Sequence, residues 1–348
     1  MTHFFKIIML LLPGFLCGQS LPFHDFSPAP KPKQGIRLAF YNVENYFDIF
    51  DDSTIIDEEF LPTSDKQWNE KRYADKRNRI AKTLLAIGGD YPVGIAGFCE
   101  IENRAVMEDL LRSDLLENQN YALVHRESQD ARGIDVSLIY HKKLARLLHS
   151  AAIKVRQPQD SNWRTRDILY VKLALTKLND TVHVFVNHWP SRRGGEEASR
   201  PLRLLAANTL KQRTDSILDV SPRHSIVIMG DLNDGPSNAS LIDGLKVKNT
   251  EVAEVVDLVD LMALLPEGSG THKYRGVWEY LDHLVVNAKL LKAESKVYTP
   301  GARVFKAQWL METDERYTGD QPKRTYAGPR YLDGFSDHLP IYLDIMKR

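Results

Sequence analysis

Residues 40–44 read Phe40-Tyr41-Asn42-Val43-Glu44, and they close a run of β-branched and aromatic side chains, residues 36–41, that reads as a strand. Polar residues of chemical use come straight after it, and the arrangement recurs downstream. Glu100, Glu102 and Asn103 follow the run at 93–98; Asn187 and His188 close the run at 182–187; Asp231, Asn233 and Asp234 follow the run at 226–229. Asp282 and His283 stand beside the run at 284–286, and Ser336, Asp337 and His338 precede a closing strand at 341–345. Runs at 134–140 and 169–175 read as further strands, and residues 71–87, 105–116 and 198–218 carry helical patterns. Such alternation spells an α/β protein, and so many strand ends converging on one rim would build a single pocket.

With 348 residues, 43% hydrophobic and 26% charged, the chain can bury a large core. Internal repeats, low-complexity tracts and composition shifts that would mark a boundary are all missing after residue 34, so one domain spanning residues 35–348 is the simplest organisation. Residues 298–334, rich in Gly, Pro, Tyr and Arg, are long for a structureless connection and read as a functional or disordered loop.

At the N-terminus, Lys6 precedes the apolar run 7–12, and Pro13, Gly14 and Phe15 lead to the small residues Cys17 and Gly18. Residues 1–18 therefore read as a secretory signal peptide, cleaved after Gly18 or Gln19. The apolar run falls far short of the roughly 20 residues of a membrane-spanning helix, and Phe15 and Leu16 are a poor approach to lipid attachment at Cys17. Residues 19–34 form a Pro-rich linker, with three prolines and two lysines in residues 27–33. The expectation is export to the periplasm or medium, with no stable membrane insertion. Loss of Lys6 leaves the mature chain at a net charge of −1, so any polyanion must be met by a local patch. Mature Cys99 stands alone, which excludes an intramolecular disulfide.

The strand-end residues are hard oxygen donors mixed with imidazoles and amides. That set suits Mg²⁺ or Mn²⁺, with Ca²⁺ as a further candidate, better than Zn²⁺. A Gly-rich phosphate loop is missing from the sequence, which argues against nucleotide-triphosphate chemistry. Phosphodiester hydrolysis needs a base for water, positive charge on the phosphoryl oxygens and help for the leaving alkoxide, and each kind of group is present. Taken singly, each motif has a bland reading: Asn42 as a strand-end turn residue, residues 230–235 as an Asx turn, His188 and His338 as structural histidines.

Their joint order resembles the endonuclease/exonuclease/phosphatase superfamily. The resemblance is carried by Phe40-Tyr41-Asn42-Val43-Glu44-Asn45, Phe98-Cys99-Glu100-Ile101-Glu102-Asn103, Arg132-Gly133-Ile134-Asp135-Val136, Asn187-His188-Trp189-Pro190-Ser191-Arg192, Gly230-Asp231-Leu232-Asn233-Asp234, Leu281-Asp282-His283 and Ser336-Asp337-His338. These blocks stand in family order and span nearly the whole mature chain. The resemblance implies a deoxyribonuclease I-like, four-layered α/β sandwich of two packed, mostly antiparallel β-sheets flanked by helices. It also implies that Glu100 is the principal metal ligand, with Asn42 and Asp337 close to the metal, and that Asp282 pairs with His338 as acid-base or phosphate-stabilising group. Asp231 would orient or activate water, Asn233 and His188 would hold the phosphate, and Asn187 and Arg192 are assigned to substrate. In the late loop, Lys323, Arg324 and Arg330 would contact a backbone, with Tyr326 and Tyr331 as stacking platforms. Asp135 stands where abasic-site enzymes usually carry a small residue, so Tyr140 is left out of the site.

The blocks around Asn42 and His188 look most like the secreted bacterial nuclease branch. The leading expectation is an exported, monomeric nuclease cleaving DNA or RNA. The alternative is a phosphatase or a phospholipid or sphingomyelin phosphodiesterase on the same scaffold, and a third class is a binding protein that has lost activity. Export is checked by expressing the full chain in a bacterial host and sequencing the N-terminus of the mature protein, which is expected to start at Gln19 or Ser20. An uncleaved cytoplasmic product would remove the signal peptide reading.

Overall fold

The computed structural model describes residues 35–160 and 162–348, so the signal peptide and linker lie outside the described residues. Two sheets face each other. The first contains β1 (Gly35–Tyr46), β2 (Ile95–Ile101), β3 (Tyr121–His125), β4 (Asp135–His141), β13 (Val297–Tyr298), β14 (Ala302–Val304) and β19 (Ile341–Lys347), in the order β13-β19-β1-β2-β4-β3, with β14 also on β19. The second contains β5 (Ala145–Ile153), β6 (Ile168–Leu175), β7 (Asp180–His188), β8 (Ser225–Asp231), β9 (Leu258–Asp260) and β12 (Asp282–Asn287), in the order β5-β6-β7-β8-β12-β9. Three short ribbons complete the strands: β10 (His272–Tyr274) with β11 (Val277–Glu279), β15 (Met311–Thr313) with β16 (Asp320–Pro322), and β17 (Tyr326–Ala327) with β18 (Arg330–Tyr331).

Pairing is antiparallel except for β1 with β2 and β7 with β8. A parallel pair cannot be closed by a hairpin, and each is bridged by a helical crossover. For the first it includes α1 (Glu70–Gly88), for the second α3 (Glu196–Val220), while α2 (Arg104–Arg112) follows β2. Asn69 caps α1 by accepting from Arg72 N at 3.2 Å, and Asn103 caps α2 by accepting from Val106 N at 3.0 Å.

Because side chains alternate along a strand, each sheet presents two apolar faces. Ile36, Leu38 and Phe40 meet Val182, Val184 and Val186 between the sheets. Ala39, Tyr41 and Val43 face Ile80, Leu84 and Met107 of α1 and α2. On the far side, Phe185, Ile226 and Ile228 pack on Ala206, Ala207 and Leu210 of α3. The result is the expected four-layered, deoxyribonuclease I-like sandwich, in which each fully buried aliphatic side chain contributes about 1.5–3 kcal/mol. Arg37, 2% exposed, reaches across β1 and β19 with two 2.8 Å bonds to Asp344 and donates to Ile87 O of α1.

The structure differs from the sequence reading in several places. The edge strand β5 went unread, and α2 ends at Arg112 rather than running to 116, because Ser113 is extended and Leu116 N turns back to Ser113 O. Residues 298–334 are not structureless: their ribbons dock on α1, where Lys76 Nζ donates to Thr325 Oγ1 and Phe335 O at 2.6 Å each. Among the described residues no helix is long and apolar enough to cross a membrane.

One layer contact makes stability depend on pH. On β7, His183 is 3% exposed and takes part in a 2.8 Å hydrogen bond between its Nδ1 and the Tyr170 hydroxyl. Burial, then the neighbouring His224 and Lys172, push its pKa down to about 4. The folded state thus holds the ring neutral; its contribution is present above the unfolded value near 6.5 and is lost as pH falls towards 4, about 3 kcal/mol at most. Urea denaturation between pH 7 and 4.5 is expected to show a shallower loss of stability in His183→Gln than in the parent. Superimposable pH profiles would exclude this contribution.

Candidate active site

The two parallel pairs decide where the chemistry lies. Their carboxyl ends bring Asn42 and Glu100 from one sheet to Asn187, His188 and Asp231 from the other, and the antiparallel neighbours deliver Asp282 at the start of β12 and His338 just before β19. β-Bulges aim these groups. Pairing shifts register between Asn42 and Tyr46 and again between Cys99 and Ile101. Glu44, Asn45, Glu100 and Asn233 all have φ between 51° and 58°, a left-handed conformation that non-glycine residues adopt only when their surroundings hold them there.

Asn42 is the joint between the sheets. Its Nδ2 donates to Asp231 Oδ2 at 3.0 Å and to Glu100 Oε1 at 3.3 Å, while Asn45 N donates to Glu100 Oε2 at 3.1 Å. Ser336 Oγ donates to Asn42 O at 2.7 Å and accepts from His338 N at 3.1 Å, which registers the last block on the first.

Around this joint stand two imidazoles of opposite character. The Asp282 Oδ2 atom lies 2.7 Å from His338 Nδ1, and His338 Nε2 is 3.8 Å from Asp231 Oδ2. Burial works against the charged ring, but Asp282 and then Asp231 raise its pKa well above the usual histidine value. His338 is therefore an imidazolium. Its neighbour Asp231 is pushed up to about 7, mainly by burial, with Asp282 and Glu100 adding to the rise and His338 opposing it. Burial, and then Arg166, Arg132 and His338, press His188 well below the normal value, so this ring is neutral. Its Nδ1 is buried without a partner, and its Nε2 faces two carboxylates, 3.8 Å from both Glu100 Oε1 and Asp231 Oδ2, which favours the ring proton on Nε2. His188 is an uncharged donor aimed into the site.

Asn233 positions Asp231, its N–H donating to Asp231 Oδ1 at 2.9 Å, while its Nδ2 is anchored on Trp189 O at 3.0 Å. Asp337 stands somewhat apart: its carboxylate takes a 3.0 Å bond from Arg324 Nη2 and groups with His272 and His338, whereas Glu100 groups with His188 and Asp231. Burial raises the Asp337 pKa, but His338 and Arg324 outweigh it and hold the group below its usual value.

Several sequence assignments acquire a different physical meaning. Asn187 makes no approach to a substrate: its Nδ2 donates to Phe185 O and Met229 O, and its Oδ1 accepts from Trp189 Nε1. Arg192 is held by Asn233 O and Glu279 Oε1 at 2.8 Å each, so it shapes the loop bearing Asn233. Tyr326 is 6% exposed against Trp68, and Tyr331 is bonded to Arg79 and Asp333, so neither is an open stacking platform. His283 points to the opposite face from Asp282, onto Asp260 and Asp234 O. Tyr140 pairs with Ile95 at the far end of β2, away from the site.

Other groups carried no local signal. Arg166 is buried and donates to His188 O, Trp189 O and Asp130, fixing the strand end under His188. Lys76 lies in an amphipathic helix, where a lysine reads as solvated. Here it is fully buried, and its pKa falls to about 8 because burial outweighs Glu44 and Asp337. The ring of His272 lies 4.8 Å from that of His338, brought there by a bridge between the two backbones.

The donor set fits a divalent cation. Glu100, Asp231 and Asp337 supply hard oxygens, and Asn42 Nδ2 lies within hydrogen-bond distance of both Glu100 and Asp231. Glu100 would hold such an ion, which would polarise the phosphoryl oxygens, neutralise developing charge and leave Asp231 to act on water. Asn42 turns its donor Nδ2 to Glu100 and Asp231 and its Oδ1 accepts from Glu44 N, so its amide sets these carboxylates in place rather than meeting the ion.

A sandwich of this topology with buried Asp–His pairs and an oxygen-rich rim defines a phosphoryl hydrolase site, and the sequence agrees: the endonuclease/exonuclease/phosphatase family model matches residues 37–347. The chain belongs to that family and is a metal-dependent phosphoric ester hydrolase. Among solved structures it is similar to TDP2 of D. rerio complexed with a single-strand DNA product (13% identity, 90% of this chain and 99% of that one, TM-score 0.54). It is also similar to the human Nocturnin catalytic domain (14%, 92% and 97%, 0.53) and to a mannosyl-6-phosphatase of Bacteroides thetaiotaomicron (13%, 89% and 99%, 0.55). At these identities the likeness is one of fold. No curated protein matches the sequence.

Replacing Asp282 by Asn removes the charge that keeps His338 protonated while preserving shape. Turnover of a phosphoester is expected to drop by about 10²–10⁴, with an unchanged circular dichroism spectrum. Near-parental turnover would show that the pair is structural.

Proposed function

We propose that this protein is an exported nuclease, hydrolysing phosphodiester bonds of DNA or RNA with Mg²⁺ or Mn²⁺. The observation that supports this most is the pairing of the His338 imidazolium with Asp282, facing Asp231 across the joint made by Asn42. Asp231, with a pKa near neutrality and its second oxygen held by Asn233 N, takes the proton of the attacking water. His338 stabilises the phosphoryl oxygens and protonates the leaving alkoxide. Nε2–H of His188 donates to a phosphoryl oxygen without adding charge, and its ring is held in place through Arg166. Nucleic acid as substrate is supported by the sequence blocks around Asn42 and His188 and by the DNA product carried by the TDP2 relative.

A second reading, a phosphatase of small phosphoesters, is favoured by a specific observation. Arg324, Arg192, Tyr326 and Tyr331, expected to grip a strand, are committed to internal contacts, and the formal charge offers no attraction to a polyanion.

Purified mature protein is expected to hydrolyse bis(p-nitrophenyl) phosphate with Mg²⁺ or Mn²⁺ and to stop in excess EDTA; Glu100→Ala and His338→Ala are expected to remain folded and inactive. Full activity in EDTA would overturn the mechanism. Linear DNA, RNA, sphingomyelin liposomes and sugar phosphates offered under one metal condition then separate the readings, and cleavage confined to the latter two would displace the nuclease.

A further inference from the structure

Directly beside the metal-ligand cluster, a cavity of about 590 Å³ opens between the 3₁₀ turn Glu58–Phe60, the turn at residues 64–66 and the tip of the β17–β18 ribbon. That volume lies within the range of small-molecule sites. The cavity shares three residues with the site: Glu44, Asn45, whose N–H holds Glu100, and Arg324, which holds Asp337. These shared residues put the cavity next to the site, where a group esterified to a bound phosphate would have room.

The walls say what that group is. Lys66 Nζ is 2.9 Å from Glu59 Oε2 and caps the Phe60 ring at 4.2 Å, and Arg324 is paired with Glu44 and Asp337. Both cations of the wall are therefore neutralised within the protein. Glu58 and Asp65, both exposed, have no ion pair or side-chain hydrogen bond among the described residues, which leaves the cavity with negative charge and carboxylate acceptors turned to solvent. Anions are disfavoured there, and with its flat rings covered the wall offers a base no stacking face. A polyhydroxylic ring suits it, since each hydroxyl donates to a carboxylate and accepts from Arg324 or Lys66.

We infer that this cavity is a sugar-binding, phosphate-excluding subsite: it takes the uncharged, hydroxyl-bearing group esterified to the scissile phosphate, either a small sugar phosphate or the terminal nucleoside of a strand. The inference rests on the phosphoesterase reading and limits it, since a strand carrying a further phosphate at this position is turned away. The enzyme works on chain ends or small esters rather than within a strand.

Calorimetric titration in the presence of Mg²⁺, on the full mature chain carrying His338→Gln to prevent turnover, tests this with four probes: inorganic phosphate, glucose 6-phosphate, the dinucleoside monophosphate ApA, and ApA phosphorylated at both ends. Glucose 6-phosphate or ApA is expected to bind about tenfold more tightly than phosphate, as two or so net hydrogen bonds would give. End phosphorylation of ApA is expected to abolish its gain. Binding by glucose 6-phosphate alone identifies free sugar phosphates as the source, binding by ApA alone a strand terminus, and either supports the subsite. Adding Glu58→Gln and Asp65→Asn should erase the preference over phosphate, while the same pair in the parent leaves the circular dichroism spectrum and the melting temperature unchanged. The inference is overturned if end-phosphorylated ApA binds as tightly as ApA, if neither sugar ester exceeds phosphate, or if the double variant leaves the preference intact. Should the parent fail to hydrolyse bis(p-nitrophenyl) phosphate, the phosphoesterase reading fails, and the binding pattern still decides the subsite.

Discussion

The hydrogen bond from Asn42 to Asp231 joins the two sheets at the edge where the chemistry lies, and the site depends on the sheets meeting there in one register. Close approach is built in. A Cβ on Gly97 would come 2.6 Å from Met229 Sδ between the sheets, and one on Gly230 would fall 2.4 Å from Asn187 O on the neighbouring strand. With both glycines present, the carboxyl ends of β1, β2, β7 and β8 converge, and Glu100 and Asp231 share the amide of Asn42. Antiparallel neighbours of those pairs then necessarily begin at the same edge, which is why Asp282 and His338 open their strands instead of closing them.

Carboxylates brought so close together in a buried place repel one another, and the protein answers with cations placed at graded distance. His338 neutralises Asp282 and Asp231 from within the site. Arg324 and Lys76 work from behind, on Asp337 and Glu44, and both depend on the late ribbons: Arg324 belongs to that segment, and Lys76 is held by Thr325 and Phe335. The segment with the weakest secondary-structure pattern therefore sets part of the electrostatic balance. His188 is kept neutral by its burial, with Arg166 and Arg132 nearby adding to the effect, so the two histidines of the site arrive in different protonation states.

Much of the site was legible in order and type. Asn42, Glu100, His188, Asp231, Asn233, Asp282 and His338 each follow or precede a strand, and strand ends are where an α/β sandwich gathers polar groups. The misreadings share one cause. Asn187, Arg192, Tyr326 and Tyr331 have the residue types that bind nucleic acid, but a side chain's partner is set by what folds against it. Asn187 points into the strand ladder, and Tyr326 lies on Trp68, whose codistant positions in sequence give no hint of contact. Lys76, Arg166 and His272 were passed over for the complementary reason. A lysine on a helix and an arginine in a loop read as solvated until the element covering them is known.

By itself the sequence determined the alternation of strands and helices, the apolar periodicity of each layer and the identity of the chemical groups at the strand ends, because periodicity and residue type are local properties. Tertiary structure alone decided which imidazole is charged, which cations are already paired, and that an acidic cavity borders the metal ligands. Those are properties of burial and of distance between residues as far apart in the chain as Glu44 and Arg324, and neither is written in any one stretch of residues.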